Sequence, residues 1–188
     1  LTILIELDFF SEFGNPDQLK AQVEIYEKYK TAKQLKKDDL PMPESDVICE
    51  SVTEKMYKNV DAKHIINYLV KRDTADIKTS IRSILQYEFA NLGYLQYTNP
   101  RLATTYHYVT AIEGKYKNKN ITLYQLCSGE TITYKIRPAT MENNPIEPGE
   151  IIKVLDTKTE GKWSKDGETW VQSTTDFNEF LSRYSHVR

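Results

Sequence analysis

Apolar residues recur at helical spacing over the first part of the chain and at alternating spacing over the second, which predicts a helical segment followed by a β-rich one. Ile3, Leu4, Leu7, Phe10 and Phe13 fit one helical face, closed by Gly14. Asn15 is a suitable N-cap with Pro16 at the first helical position, and Leu19, Val23, Tyr26 and Leu35 continue an apolar face. Asp61 predicts the start of a short helix carrying Ile65, Ile66, Leu69 and Val70. Asp73 or Thr74 then starts a longer one carrying Ile77, Ile81, Ile84, Leu85 and Leu92, ended by Gly93. Between these helices, residues 36–44 combine two prolines with mixed charge and read as an extended, exposed linker.

After Pro100 the period changes to two. Residues 104–112, 121–127 and 131–137 alternate as strands, and two shorter strands are predicted at 151–156 and 169–172, bounded by Pro148-Gly149, Gly161 and Asp166-Gly167. Five short strands without a long helix between them predict a small OB-like β-barrel. Phe177, Phe180, Leu181 and Tyr184 predict one closing C-terminal helix. The expectation is an α+β chain with four parts: residues 1–40, a linker at 41–60, a helical connector at 61–103 and the barrel at 104–188.

Composition narrows the chemistry. The formal net charge is -2. Residues 1–103 carry 14 Lys plus Arg against 16 Asp plus Glu, and residues 104–188 carry 11 of each, so a nucleic-acid site has to be a local patch. Cys49 and Cys127 are far apart and predict no disulfide framework, which suits a reducing, cytoplasmic setting. The opening apolar run is too short to span a bilayer, so no membrane role is indicated, and a chain that starts on Leu1 in mid-pattern reads as a piece cut from a longer one. His64, His107 and His186 are isolated, which predicts no metal site, and no Gly-x-Ser-x-Gly elbow or glycine-rich phosphate cradle is present. Asp38-Asp39 is the nearest match to a pair of metal-binding carboxylates, and in a charged linker such a pair is ordinarily just solvated. No catalytic residue and no cofactor is predicted.

The β-rich part offers a binding pattern. Tyr106 and Tyr108 alternate onto one face of the first strand. Lys115, Tyr116, Lys117 and Lys119 crowd the first hairpin, with Tyr124 on the second strand and Lys135 and Arg137 sharing a face of the third. Aromatic rings that stack on bases beside cations that meet phosphates are what single-stranded DNA requires of its binder. The same residues also suit a purely structural role, since tyrosine is a good strand former and lysine keeps a sheet edge soluble.

Several stretches carry a resemblance. Leu4-Ile-Glu-Leu-Asp-Phe-Phe-Ser-Glu-Phe-Gly-Asn15 followed by Leu19 resembles the end of the helix-hairpin-helix region of the alpha subunit of bacterial DNA polymerase III, a C-family polymerase. Ala32-Lys-Gln-Leu-Lys-Lys37 is similar to the basic segment that follows in versions from Firmicutes and their phages. Tyr87-Glu-Phe-Ala-Asn-Leu-Gly-Tyr94 resembles the helix before the family's OB domain, and Asn144-Pro-Ile-Glu-Pro-Gly-Glu-Ile-Ile152 the approach to a late barrel strand. The resemblance implies a parent nucleotidyltransferase acting in DNA replication, whose PHP, palm and fingers modules and catalytic aspartates lie upstream. It implies that this part is non-catalytic and lies near single-stranded template. It also implies a neighbouring segment that meets the sliding clamp, for which Gln34 and Leu35 are the candidates, although Gln34-Leu35-Lys36-Lys37-Asp38 lacks the apolar end of a clamp-binding peptide. The alternative is a module that docks sliding clamp or other replisome proteins, recognisable by an exposed apolar patch on the helical part or around Phe177, Phe180 and Tyr184.

Overall fold

A computed structural model describes residues 1–114 and 118–187, with the Asp166 side chain excepted. The chain is a mixed α+β protein that divides into two compact units, Leu1–Ser80 and Ile81–Arg188.

In the first unit, α1 (Thr2–Glu6) is a short helix, and the apolar pattern through Phe13 continues as turns rather than as the longer helix expected from spacing. Asp8 takes a left-handed conformation at φ 61° directly after it, which a continuing α-helix does not allow. Helix α2 (Pro16–Tyr29) starts where the sequence places it. The Asn15 side chain accepts from the Gln18 amide at 3.1 Å, and it also donates to the Ile77 carbonyl at 2.7 Å and accepts from Thr79 Oγ1 at 2.8 Å. One cap residue therefore ties the end of the unit to the start of α2.

The extended stretch expected at 36–44 and the linker expected at 41–60 are instead built into a folded segment together with residues 34 and 35. They form β1 (Gln34–Lys36), β2 (Cys49–Val52) and β3 (Met56–Val60), an antiparallel sheet in the order β1-β3-β2. Leu40 and Met42 lie in the proline-rich stretch and are buried with Tyr29, Tyr57 and Val60 against Ile65 and Leu69 of α3 (Ala62–Asp73). Prolines halt helix formation there, but the apolar residues between them still leave water. Asp61 caps α3 as the sequence predicts, accepting from the His64 amide at 3.0 Å.

The second unit begins with α4 (Ile81–Leu92), which starts several residues later than the spacing suggests because Ile77 and Thr79 are engaged with Asn15. Gly93, at φ 76°, closes it in the left-handed region that glycine adopts without strain. Strands β4 (Tyr106–Glu113), β5 (Lys119–Gln125), β6 (Thr131–Ile136), β7 (Ile151–Asp166) and β8 (Thr169–His186) follow, with the short helix α5 (Pro138–Asn143) between β6 and β7. They pair in the order β4-β5-β6-β8-β7, and β7 returns to β4 through Tyr106↔Lys153 to Tyr108↔Ile151, so the ring of pairings closes. Every pairing is antiparallel except β6 with β8, which run parallel at Lys135↔Phe180 and Ile136↔Leu181.

The closing helix expected from Phe177 to Tyr184 is instead the second half of β8. The spacing of Phe180, Leu181 and Tyr184 suits a helix, but only an extended segment can pair with both β6 and β7, and the tertiary hydrogen bonds override the local period. Val109, Ile121, Leu123, Ile136, Ile152 and Leu181 fill the interior. A second cluster lies on the outer side of β4 and β5, where Leu85 of α4 and Leu126 cover Tyr108 and Tyr124.

Because Asn15 serves both as a cap and as the tie to residues 77–79, Asn15→Ala is expected to lower the stability of the first unit by about 2 kcal/mol, the upper end of the usual range for a cap. Urea unfolding monitored by circular dichroism measures this, and a change below about 0.5 kcal/mol would show that the tie contributes nothing.

Candidate nucleic-acid interface

The residues expected to contact DNA are distributed over two faces of the strand ring. Tyr106 and Tyr108 share a face of β4, as the alternation requires, but α4 and residues 94–102 cover that face. Tyr108 is 2% exposed and Tyr124, opposite it in register, 6%. The Tyr124 hydroxyl donates to the Tyr97 carbonyl at 3.0 Å, and burial raises the pKa of both phenols. With their rings enclosed, neither is open to a base, and both are packing residues here. Tyr106 lies half-buried at the rim of the cluster, with Lys153 Nζ 5.8 Å from its ring centre.

The cations are arranged more openly. Lys119 is exposed at the start of β5, opposite Ile136. Lys135 faces outward from β6 opposite Asn120, and next along the same face Thr122 and Thr133 stand opposite each other with hydroxyls 3.4 Å apart. The outer surface of β5 and β6 thus presents Asn120, Thr122, Thr133 and Lys135, a polar strip with one cation and several donors. Arg137, just past β6, is already engaged: its guanidinium lies 4.9 Å over the Phe180 ring and pairs with Glu160 at 2.5 Å. Lys115, Tyr116 and Lys117 lie outside the described residues.

Sequence periodicity alone misses a further group. Beyond Lys158↔Phe180, β7 and β8 leave the ring as a two-stranded arm whose tip is the Asp166–Thr169 turn. Trp163 pairs with Gln172 and Lys165 with Trp170, which puts Trp163, Lys165, Trp170 and Gln172 on one face. The two indoles are 60% and 65% exposed. The available signal was that both tryptophans of the chain flank one Asp-Gly turn. Gly161 sits at the base of the arm, where a β-carbon would fall 2.0 Å from the Ser173 carbonyl oxygen, so only glycine permits the strands to approach there.

In the first unit, Gln34 is exposed, but Leu35 packs against the core cluster through β1, in register with Tyr57. While β1 is paired, that side chain is not available to a pocket on a clamp. The exposed apolar surface of this unit lies elsewhere. Leu1 and Phe13 are exposed and line a groove of about 430 Å³ together with Ile5, Leu19, Val23 and Val70, and Ile3 and Phe9 are exposed as well. Asp38 and Asp39 sit exposed in a single 3-10 turn. Among the described residues no group of three or more His, Cys, Asp or Glu side chains is placed to hold a metal ion, both cysteines are free thiols, and no helix is long and apolar enough to cross a membrane.

One histidine of β4 is buried. His107 is 4% exposed; its Nδ1 lies 3.0 Å from the Thr105 carbonyl, and Nε2 has no partner among the described residues. Burial holds its pKa below the ordinary value, with the Thr105 contact opposing the shift in part. The unfolded chain therefore takes up a proton more readily than the folded one, so this histidine leaves stability intact above about pH 6.5 and lowers it as pH falls below that value. Urea unfolding at pH 7.5 and 5.5 is expected to show a smaller loss of stability on acidification for His107→Leu than for the unaltered chain, and equal losses would contradict the assignment.

No protein-family model matches the chain, and comparison with curated proteins and with solved structures returns no match.

Proposed function

We propose that the chain is the non-catalytic, DNA-binding C-terminal part of a replicative DNA polymerase III alpha subunit, a cytoplasmic replication protein, and that its second unit is an OB-like barrel that meets single-stranded template. The order β4-β5-β6-β8-β7, with a helix between the third and fourth strands, supports the OB-like reading, and that fold commonly binds oligonucleotides across its second and third strands. The observation that carries the functional reading is that the outer face of β5 and β6, the second and third strands, is polar at Asn120, Thr122, Thr133 and Lys135, with Lys119 exposed at the start of β5, while α4 covers Tyr108 of β4 and Tyr124 of β5. The polymerase assignment rests on the sequence resemblance. In this reading the unit acts by hydrogen bonds and phosphate contacts rather than by bond chemistry.

A second reading is supported by the apolar surface of the first unit. The groove lined by Leu1 and Phe13 is the kind of exposed patch a protein-docking module presents, with the sliding clamp or another replisome protein as its partner.

Fluorescence anisotropy of a labelled single-stranded oligonucleotide, measured over a series of salt concentrations, tests the first reading. Binding is expected to weaken with salt, and Lys119→Glu/Lys135→Glu is expected to weaken it further and to remove about 1.4 from the slope of log affinity against log salt, for two lost phosphate contacts. Absence of binding at low salt would overturn this reading in favour of docking.

A further inference from the structure

We infer that the β7–β8 arm is a stacking platform for a single nucleic-acid strand, with Trp163 and Trp170 taking bases and Lys165 meeting the adjacent phosphate. This inference rests on the nucleic-acid reading above and assigns it a second contact surface.

The arm is unusual as a structural element. From Lys158 to Asp166 its strand runs about 25 Å beyond the last pairing with the ring, at roughly 3.3 Å per residue. Along that length, among the described residues, β7 and β8 pair only with each other. A two-stranded ribbon is marginal in water by itself, and leaving two indoles exposed on it forgoes the burial that makes tryptophan stabilising. Neither feature contributes to the ring, whose interior is filled by other residues.

Three observations select the ligand. Trp163 and Trp170 are diagonal cross-strand neighbours on one face, a separation of about 7–8 Å at the backbone. That is about twice the 3.4 Å step between stacked bases, which leaves room for one base between the rings or two splayed bases upon them. Both arrangements need bases freed from a complementary strand, so the ligand is single-stranded. Of the four residues on this face Lys165 alone is charged, and among the described residues no carboxylate pairs with it. Lys162, by contrast, is held by Asp176 at 2.7 Å. A face of two aromatic rings and one cation is complementary to a base and its phosphate.

Because both tryptophans of the chain lie on this arm, tryptophan emission, excited at the red edge where the 13 tyrosines do not absorb, reports on it alone. Titrating the full chain with an unlabelled oligothymidylate is expected to quench that emission, at the concentrations where a labelled copy of the same oligonucleotide shows increased anisotropy. Trp163→Ala/Trp170→Ala is expected to weaken binding by about tenfold or more, and Trp163→Phe/Trp170→Phe, which keeps two rings, by less. Circular dichroism and urea unfolding of the same variants establish that the ring remains folded. Binding seen by anisotropy with unchanged tryptophan emission and unchanged affinity in the alanine variant would overturn the arm assignment while leaving the β5–β6 reading in place. No binding in either measurement would overturn both. A tryptophan blue shift that depends on protein concentration and not on oligonucleotide would also overturn the inference, in favour of association between copies of the chain.

Discussion

The second unit depends on one short stretch of parallel pairing, Lys135 and Ile136 of β6 against Phe180 and Leu181 of β8. Without it, β6 and β8 would each present an unpaired edge, and the interior around Val109, Leu123 and Ile152 would be open on one side. Parallel neighbours cannot be joined by a tight turn. The chain reaches this pairing by the α5 connection and the long β7–β8 excursion, and the arm is the part of that excursion that lies beyond the ring.

Closure also fixes which surfaces are free. Once the ring is shut, its interior is filled by apolar side chains and the ring of Tyr184, and contacts with other molecules have to be made outside. Helix α4 and the segment after it occupy the outer face of β4, where the Tyr124 hydroxyl finds the Tyr97 carbonyl and Glu88 accepts from the amides of Gln96 and Tyr97. What remains for a partner is the polar face of β5 and β6 and the arm. In the first unit a different economy holds: Asn15 and Asp61 set the helices, and the apolar residues of the proline-rich stretch complete the core instead of extending into solvent.

The separation of aromatic residues into packed and free is a matter of environment rather than composition. Tyr108, Tyr124, Trp163 and Trp170 all lie on strands. Tyr108 and Tyr124 are enclosed because a helix from outside the strand region covers them, and the tryptophans are exposed because their strands have no further partner. Periodicity within a strand specifies which residues share a face, and it carries no information about what lies opposite that face.

The sequence by itself determined the caps at Asn15 and Asp61, the stop at Gly93, the change of period after Pro100, and the positions at which five strands begin, because each depends on residues within a few positions of one another. Only the tertiary structure decided that residues 34–60 form a sheet, that the last segment is a strand and not a helix, and that α4 belongs with the ring. It also decided that two of the tyrosines expected to stack on bases are core residues while Lys119 and Lys135 remain accessible. These outcomes rest on pairings between residues distant in the chain, where the gain from closing a sheet or covering an apolar face outweighs a local preference of a few tenths of a kcal/mol per residue.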